Sequence, residues 1–138
     1  MAFLGGSIAM YRRTGFASVC LLCIAVPAFA HDKCPSESRQ PEEIIKAIRS
    51  APACLVSFNV MKDCRSHDHR DAQLAQAVIE KCEATFLPRM SAGRKYFYQR
   101  AREVCARKFA NRQESIYASY QATCEAAVAA RCAWWWGD

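Results

Sequence analysis

The sequence lacks the motifs of the commonest catalytic sites. It has no Gly-x-Ser-x-Gly turn for a nucleophile, no glycine-rich phosphate loop and no His-Glu-x-x-His zinc motif. Only two histidines, His67 and His69, lie beyond position 31, so a general base is scarce. These absences argue against an enzyme, and we predict no catalytic residue and no cofactor.

The sequence also has almost no alternating apolar pattern, no low-complexity segment and no internal repeat. Apolar residues instead recur at helical spacing. Pro41 with two following acids predicts a helix start, and Pro52 must break that helix. We predict an all-α, small disulfide-stapled up-down helical bundle with three long helices and two shorter elements. The predicted helices run from 41 to the break at 52, then over about 52–65, from 71 to a break at 88–93, over 94–110 and over 115–132.

Two predicted apolar stripes define how the last two helices should face the core. In the helix over 94–110 the stripe includes Phe97, Ala101, Val104, Cys105 and Phe109. In the last helix it consists of Ile116, Tyr120, Cys124, Ala127 and Val128.

The first 30 residues have the pattern of a cleaved signal peptide. Arg12 and Arg13 precede an apolar run over 16–26, and Ala28-Phe29-Ala30 is a small-x-small cleavage site. The apolar run is shorter than the ~20 residues of a transmembrane helix, and no later segment is apolar enough to cross a membrane. We therefore expect a periplasmic or secreted protein without a transmembrane anchor. Residues 31–138 would form one helical domain, with a polar segment at 31–40 and a tryptophan-rich tail at 133–138.

Seven of the nine cysteines follow this leader, and export would favour their pairing. No Cys-x-x-Cys motif occurs among them, which argues against a redox site of that type. Residues equidistant from a turn face each other in a helical hairpin. That rule favours Cys54–Cys82 and Cys105–Cys124, with Cys82–Cys105 as a second option. Cys34, Cys64 and Cys132 then compete for a third bond, and one thiol is left over.

The turn between the second and third predicted helices contains the densest group of possible metal ligands. His67 and His69 could bind a divalent metal together with Asp68 or Asp71. The alternative is a polar turn in which Asp71 accepts hydrogen bonds from the free amides of its helix. Arg65 and Arg70 flank the group and would repel a cation, so we predict no metal site and keep the two histidines as weak candidates.

Two features could bind a partner. The helix over 94–110 is strongly basic and carries interleaved tyrosines, which suits anionic ligands, although export disfavours nucleic acid. Trp134, Trp135 and Trp136 are adjacent, so they cannot all face one core, and tryptophan is enriched at binding hot spots. We predict a partner-binding surface formed by Trp134, Trp135, Trp136, Arg94, Lys95 and Arg102.

Residues from about 98 to 131 resemble the tail of the bacterial lysozyme-inhibitor family of small exported, cysteine-containing helical proteins. The similarity lies in a basic-aromatic run into Cys105, then Ser115-Ile116-Tyr117, Cys124 and Arg131. Asp71-Ala72-Gln73-Leu74 resembles the family's upstream helix but lacks its usual Leu-Asn step. The resemblance implies a binding protein, and we carry over no inhibitory residue.

These observations predict an exported, non-enzymatic binding protein that acts on a protein partner or an anionic cell-envelope component. The alternative is a periplasmic metal- or redox-linked protein that uses the His67/His69 turn and an unpaired cysteine. A small hydrolase is the third hypothesis.

Overall fold

Five α-helices make up most of the chain between residues 34 and 137, the part that the computed structural model describes. No strand occurs in that range, so the predicted all-α helical bundle is confirmed. The predicted signal peptide lies outside the described residues. The helices are α1 (Pro41–Ser50), α2 (Cys54–Cys64), α3 (Asp71–Phe86), α4 (Ala92–Phe109) and α5 (Ser115–Trp136), with a single 3-10 turn at Leu87–Arg89.

Local sequence explains where these helices begin and end. Pro41 occupies the first turn of α1, where its missing N–H costs nothing. Ala51 is extended, with φ −57° and ψ 141°, because the following Pro52 disfavours helical backbone there. The side chain of Ser91 accepts a hydrogen bond from the Arg94 amide and caps α4.

The long helices α3, α4 and α5 alternate in direction. A disulfide joins Cys105 of α4 to Cys124 of α5 across their hairpin. Asp71 and Ser119 meet near the starts of α3 and α5, whereas Arg89 reaches Gly137 past their ends. Helices α3 and α5 are therefore parallel to each other and α4 is antiparallel to both, as an up-down arrangement requires.

The core is built around α3 and is completed by α1, α2 and α5. The sequence places Leu74, Ala75, Val78, Cys82 and Phe86 of α3 at helical spacing, and all five are buried, with Cys82 and Phe86 at 0% exposure. Helix α5 contributes mainly alanines, whose small side chains allow its backbone to approach α3 closely. The fully buried large apolar side chains are Ile48, Met61, Val78 and Phe86.

The predicted stripes of α4 and α5 are partly wrong. Phe97 is 70% exposed and Val104 54% exposed, and the buried positions of α4 are Tyr98 and Cys105. The helix is rotated because Tyr98 packs edge-on against Phe86, with ring centroids 5.1 Å apart, and so takes the inward position. In α5 the buried face is the alanine face, and Tyr120 is exposed.

Two disulfides staple the described part of the chain. Cys105 pairs with Cys124 as the hairpin spacing predicts, and Cys34 pairs with Cys64, two of the three cysteines left to compete. Cys132 is a free, half-buried thiol. Cys54 and Cys82 lie side by side as the spacing predicts, but they are thiols rather than the predicted disulfide. A third bond between them stays a prediction.

Candidate functional site

The three adjacent tryptophans are part of α5 rather than of a separate tail, because the helix continues through Trp136. Trp134 and Trp135 are 63% and 65% exposed, and their rings form an edge-to-face pair with centroids 5.3 Å apart. Trp136 is half-buried and packs against the core. Two indoles therefore remain available for contact.

Cations from α4 lie at the same end of the bundle. The antiparallel pairing brings the first turn of α4 to the last turn of α5, and the Arg94 guanidinium lies 6.0 Å from the centre of the Trp136 ring. Lys95 follows on the surface, and neither cation forms a salt bridge with any residue of 34–137. We call Arg94, Lys95, Trp134, Trp135 and Trp136 the aromatic–basic end.

The sequence predicts Arg102 on this surface, and Arg102 does line one cavity with Lys95, but its charge is already paired. Its guanidinium forms ion pairs with Glu83, at 3.1 Å, and with Glu125, at 2.9 Å. Tyr98 donates a hydrogen bond of 2.7 Å to the same Glu83 carboxylate. Burial, followed by this contact with Glu83, raises the pKa of Tyr98 above its ordinary value. Arg102 therefore ties α3, α4 and α5 together and its charge is already matched.

The rest of the basic helix is also partly neutralised. Arg100 and Arg107 both pair with Glu103, at 2.6 and 3.4 Å. Farther along, Lys108 lies 5.5 Å from the centre of the Phe109 ring. Glu103 therefore offsets one of these two arginine charges, whereas Arg94 and Lys95 of the first turn have no carboxylate partner among residues 34–137.

A small cavity of about 140 Å³ connects the aromatic–basic end to a free thiol. Trp134, Leu55 and Cys54 all line it. Cys54 packs against the core cluster that contains the buried Cys82. Burial, and then the neighbouring Cys54 thiol, raises the pKa of the Cys82 thiol above its ordinary value, so Cys82 is protonated at neutral pH.

The His67/His69 turn does not assemble a metal centre. Both imidazoles are exposed, and residues 34–137 contain no group of three or more potential ligands that could hold a metal ion. The carboxylate of Asp68 is engaged by the Arg70 guanidinium at 2.8 Å, which lowers the pKa of Asp68 well below its ordinary value.

Asp71 has a role that sequence reasoning missed. It is fully buried, and its carboxylate accepts hydrogen bonds from the backbone amides of Ser66 and His67, at 2.9 and 3.0 Å. The Ser119 hydroxyl of α5 donates to the same carboxylate. Asp71 was expected to cap its own helix, but it clamps the preceding turn onto α5. His67 has a positive φ of 61° within this turn.

Comparison with protein-family models, curated proteins and solved structures finds no match for this chain. Between residues 34 and 137, none of the helices is both long enough and apolar enough to span a bilayer.

Proposed function

We propose that this protein is an exported, non-enzymatic binding protein that engages a protein partner or an anionic component of the cell envelope. The observation that carries the proposal is the pair of exposed indoles, Trp134 and Trp135, at the end of the bundle where Arg94 lies over the Trp136 ring. Arg94 and Lys95 form no salt bridge among residues 34–137. The signal-peptide pattern of residues 1–30 and the two disulfides support export.

Large exposed aromatic side chains are costly to leave in water, and indoles are enriched among the residues that dominate binding energy. Trp134 and Trp135 sit on a well-formed helix, so binding would not need to order them first. The neighbouring cations would favour a partner with acidic groups and accelerate its approach.

The test is capture of partners from a native envelope extract by the full mature protein and by a Trp134→Ala/Trp135→Ala variant. The variant should lose capture while its melting temperature stays close to that of the parent. Val104→Ala, which removes an exposed apolar side chain elsewhere on α4, is the matched control and should capture normally. Equal capture by all three proteins would contradict the proposal.

The resemblance to lysozyme inhibitors suggests one specific partner to assay. Addition of the mature protein to a bacterial lysozyme assay should then lower the rate of cell-wall hydrolysis. Lysozymes are commonly basic, whereas the aromatic–basic end is positive, so an inhibitory contact would have to use another face. Undiminished hydrolysis at a large excess of the protein would remove the inhibitor hypothesis and leave the more general binding role.

A redox-linked role is the second candidate, and the contact between Cys54 and Cys82 favours it. Oxidation would join the two sulfurs, and the two thiols would give up two protons and two electrons to an exogenous disulfide, which is reduced to two thiols. The pair lies at the opposite end of α2 from the His67/His69 turn, so the predicted combination of that turn with a thiol is not supported. Titration of the purified protein against glutathione buffers would measure whether the pair changes state within a physiological range.

A further inference from the structure

A cavity lies far from the aromatic–basic end, between the segment before α1 and the turn before α3. Its volume is about 540 Å³, which is within the range of small-molecule sites. The Cys34–Cys64 disulfide ties the segment before α1 to the end of α2, so both walls are held in place.

The cavity is lined on one side by cationic and titratable groups. Arg39, Arg65, Arg70 and His67 all contribute to its surface, and no carboxylate residue does. The charge of Arg70 is offset by its salt bridge with Asp68. Arg39 and Arg65 form no salt bridge with any residue in the described range. The Arg65 guanidinium donates hydrogen bonds to the Lys62 carbonyl and the Thr123 hydroxyl, at 3.3 and 3.5 Å, and neither of these neutral acceptors offsets its charge.

The carboxylates near the cavity are already engaged by residues around it. Glu43 accepts hydrogen bonds from Ser36 and Ser38, at 2.8 and 2.6 Å, and these contacts lower the pKa of Glu43. Asp71 accepts hydrogen bonds from the backbone amides of Ser66 and His67. These carboxylates offset part of the positive charge at the cavity wall, and Arg39 and Arg65 are the lining arginines that form no salt bridge among residues 34–137.

The opposite side of the cavity is apolar, formed by Pro41, Ile44 and Leu74. Ile44 and Leu74 are each 3% exposed, so Pro41 offers most of the open apolar surface. We propose that the cavity binds an organic anion with an apolar body, such as a medium-chain carboxylate, whose head group meets Arg39 and Arg65 and whose chain lies against Pro41. This site is independent of the partner surface proposed above.

The left-handed backbone at the rim fits this assignment. Arg39 and His67 are the two non-glycine residues with positive φ among residues 34–137, at 51° and 61°, and both line the cavity. Such conformations are unfavourable for these residue types and concentrate at binding sites. An asparagine at position 39 would keep the backbone conformation and remove the charge.

The test is titration of the full mature protein with octanoate, followed by amide chemical shifts and by calorimetry. Shift changes should map to residues 38–44 and 64–74, and Arg39→Asn and Arg65→Gln should each weaken binding about tenfold. Arg100→Gln, which changes an exposed arginine of α4, should bind octanoate normally. Octanol, which has the same chain without the charge, should bind much more weakly than octanoate.

Three results would overturn the inference. These are shift changes confined to the aromatic–basic end, equal binding of octanol and octanoate, and unchanged octanoate affinity in both cavity variants. If Arg65→Gln lowers the melting temperature, Arg39→Asn decides the outcome, because position 39 lies outside the helices and on the surface. Loss of octanoate binding would not affect partner capture through Trp134 and Trp135, so the two proposals fail separately.

Discussion

The buried carboxylate of Asp71 accepts a hydrogen bond from the hydroxyl of Ser119, which lies 48 residues away on the parallel helix α5. The same carboxylate holds the amides of Ser66 and His67. A single side chain thus joins the turn between α2 and α3 to the start of α5.

This contact predicts the most damaging single substitution in the turn. Asp71→Ala leaves two backbone amides and a buried hydroxyl without an acceptor and should lower the free energy of unfolding by about 3 kcal/mol. Ser119→Ala removes one donor only and should cost about 1.5 kcal/mol. Asp68→Ala, in the same turn but at the surface, should change little. Urea denaturation measures the free energy of unfolding of the three variants. Equal losses for Asp71→Ala and Asp68→Ala would contradict the role of Asp71 in holding the turn.

Arg102 should behave as a structural residue rather than as part of a binding surface. Arg102→Ala removes the partner of two half-buried carboxylates and should lower the free energy of unfolding by about 1–3 kcal/mol, with partner capture per folded molecule unchanged. Arg100→Ala, whose ion pair with Glu103 is exposed, should cost no more than about 0.5 kcal/mol. Loss of capture by a fully folded Arg102→Ala variant would return Arg102 to the partner surface.

Alkaline pH should weaken the fold through Tyr98. Burial and the contact with Glu83 raise the pKa of Tyr98 in the folded state, so folding favours the neutral phenol. This contribution is complete below the ordinary pKa of about 10 and is lost as the pH rises above it. Spectroscopic titration of tyrosinate should show one phenol that ionises after the others, and Tyr98→Phe should abolish that last step. If Tyr98→Phe instead removes an early step, the assignment is wrong.

The cysteines should give a defined thiol count. Exported protein should contain Cys34–Cys64, Cys105–Cys124 and, once oxidised, Cys54–Cys82, with Cys132 as the single remaining thiol. Intact mass after alkylation under denaturing, non-reducing conditions counts the thiols, and three or more would contradict the third bond. Each of the two observed disulfides should contribute about 3–4 kcal/mol in the chain-entropy model, so reductant should lower the melting temperature sharply. A melting temperature unaffected by reductant would contradict the stapled bundle.

Helix positions could be predicted because proline and local polar clusters mark their ends clearly, as Pro41 and Pro52 do. The rotation of α4 could not, because Tyr96, Phe97 and Tyr98 are consecutive and offer apolar surface to every side of the helix. Contacts with Phe86 and Glu83, far away in sequence, select Tyr98 for the core. Helix α5 was misjudged for the opposite reason, since small alanines pack closely against α3 and displace the larger Tyr120 outward.

The candidate sites were predictable to different degrees. The aromatic–basic end could be predicted because it consists of two short runs, Arg94-Lys95 and Trp134-Trp135-Trp136. An antiparallel hairpin of α4 and α5 brings these two runs to the same end of the bundle. The cationic cavity could not be predicted, because Arg39 joins Arg65 and Arg70 only through the Cys34–Cys64 bond. The spacing of the cysteines does not determine which two of Cys34, Cys64 and Cys132 form that disulfide.

The last prediction separates the three tryptophans by what each contacts. Trp136 packs on the core beneath Arg94, so Trp136→Ala should leave a poorly filled site and lower the free energy of unfolding by about 2–3 kcal/mol. Trp134→Ala/Trp135→Ala removes exposed rings, so the melting temperature should change little while partner capture falls, since anchors of this kind can each contribute about 2 kcal/mol to binding. Thermal melting beside capture, on all variants at one concentration, measures both effects. If the double variant melts as early as Trp136→Ala, the exposed indoles contribute to the fold and the anchor interpretation fails. If it melts normally but still captures partners, the indoles are exposed without a binding role, and Arg94 and Lys95 become the next residues to replace.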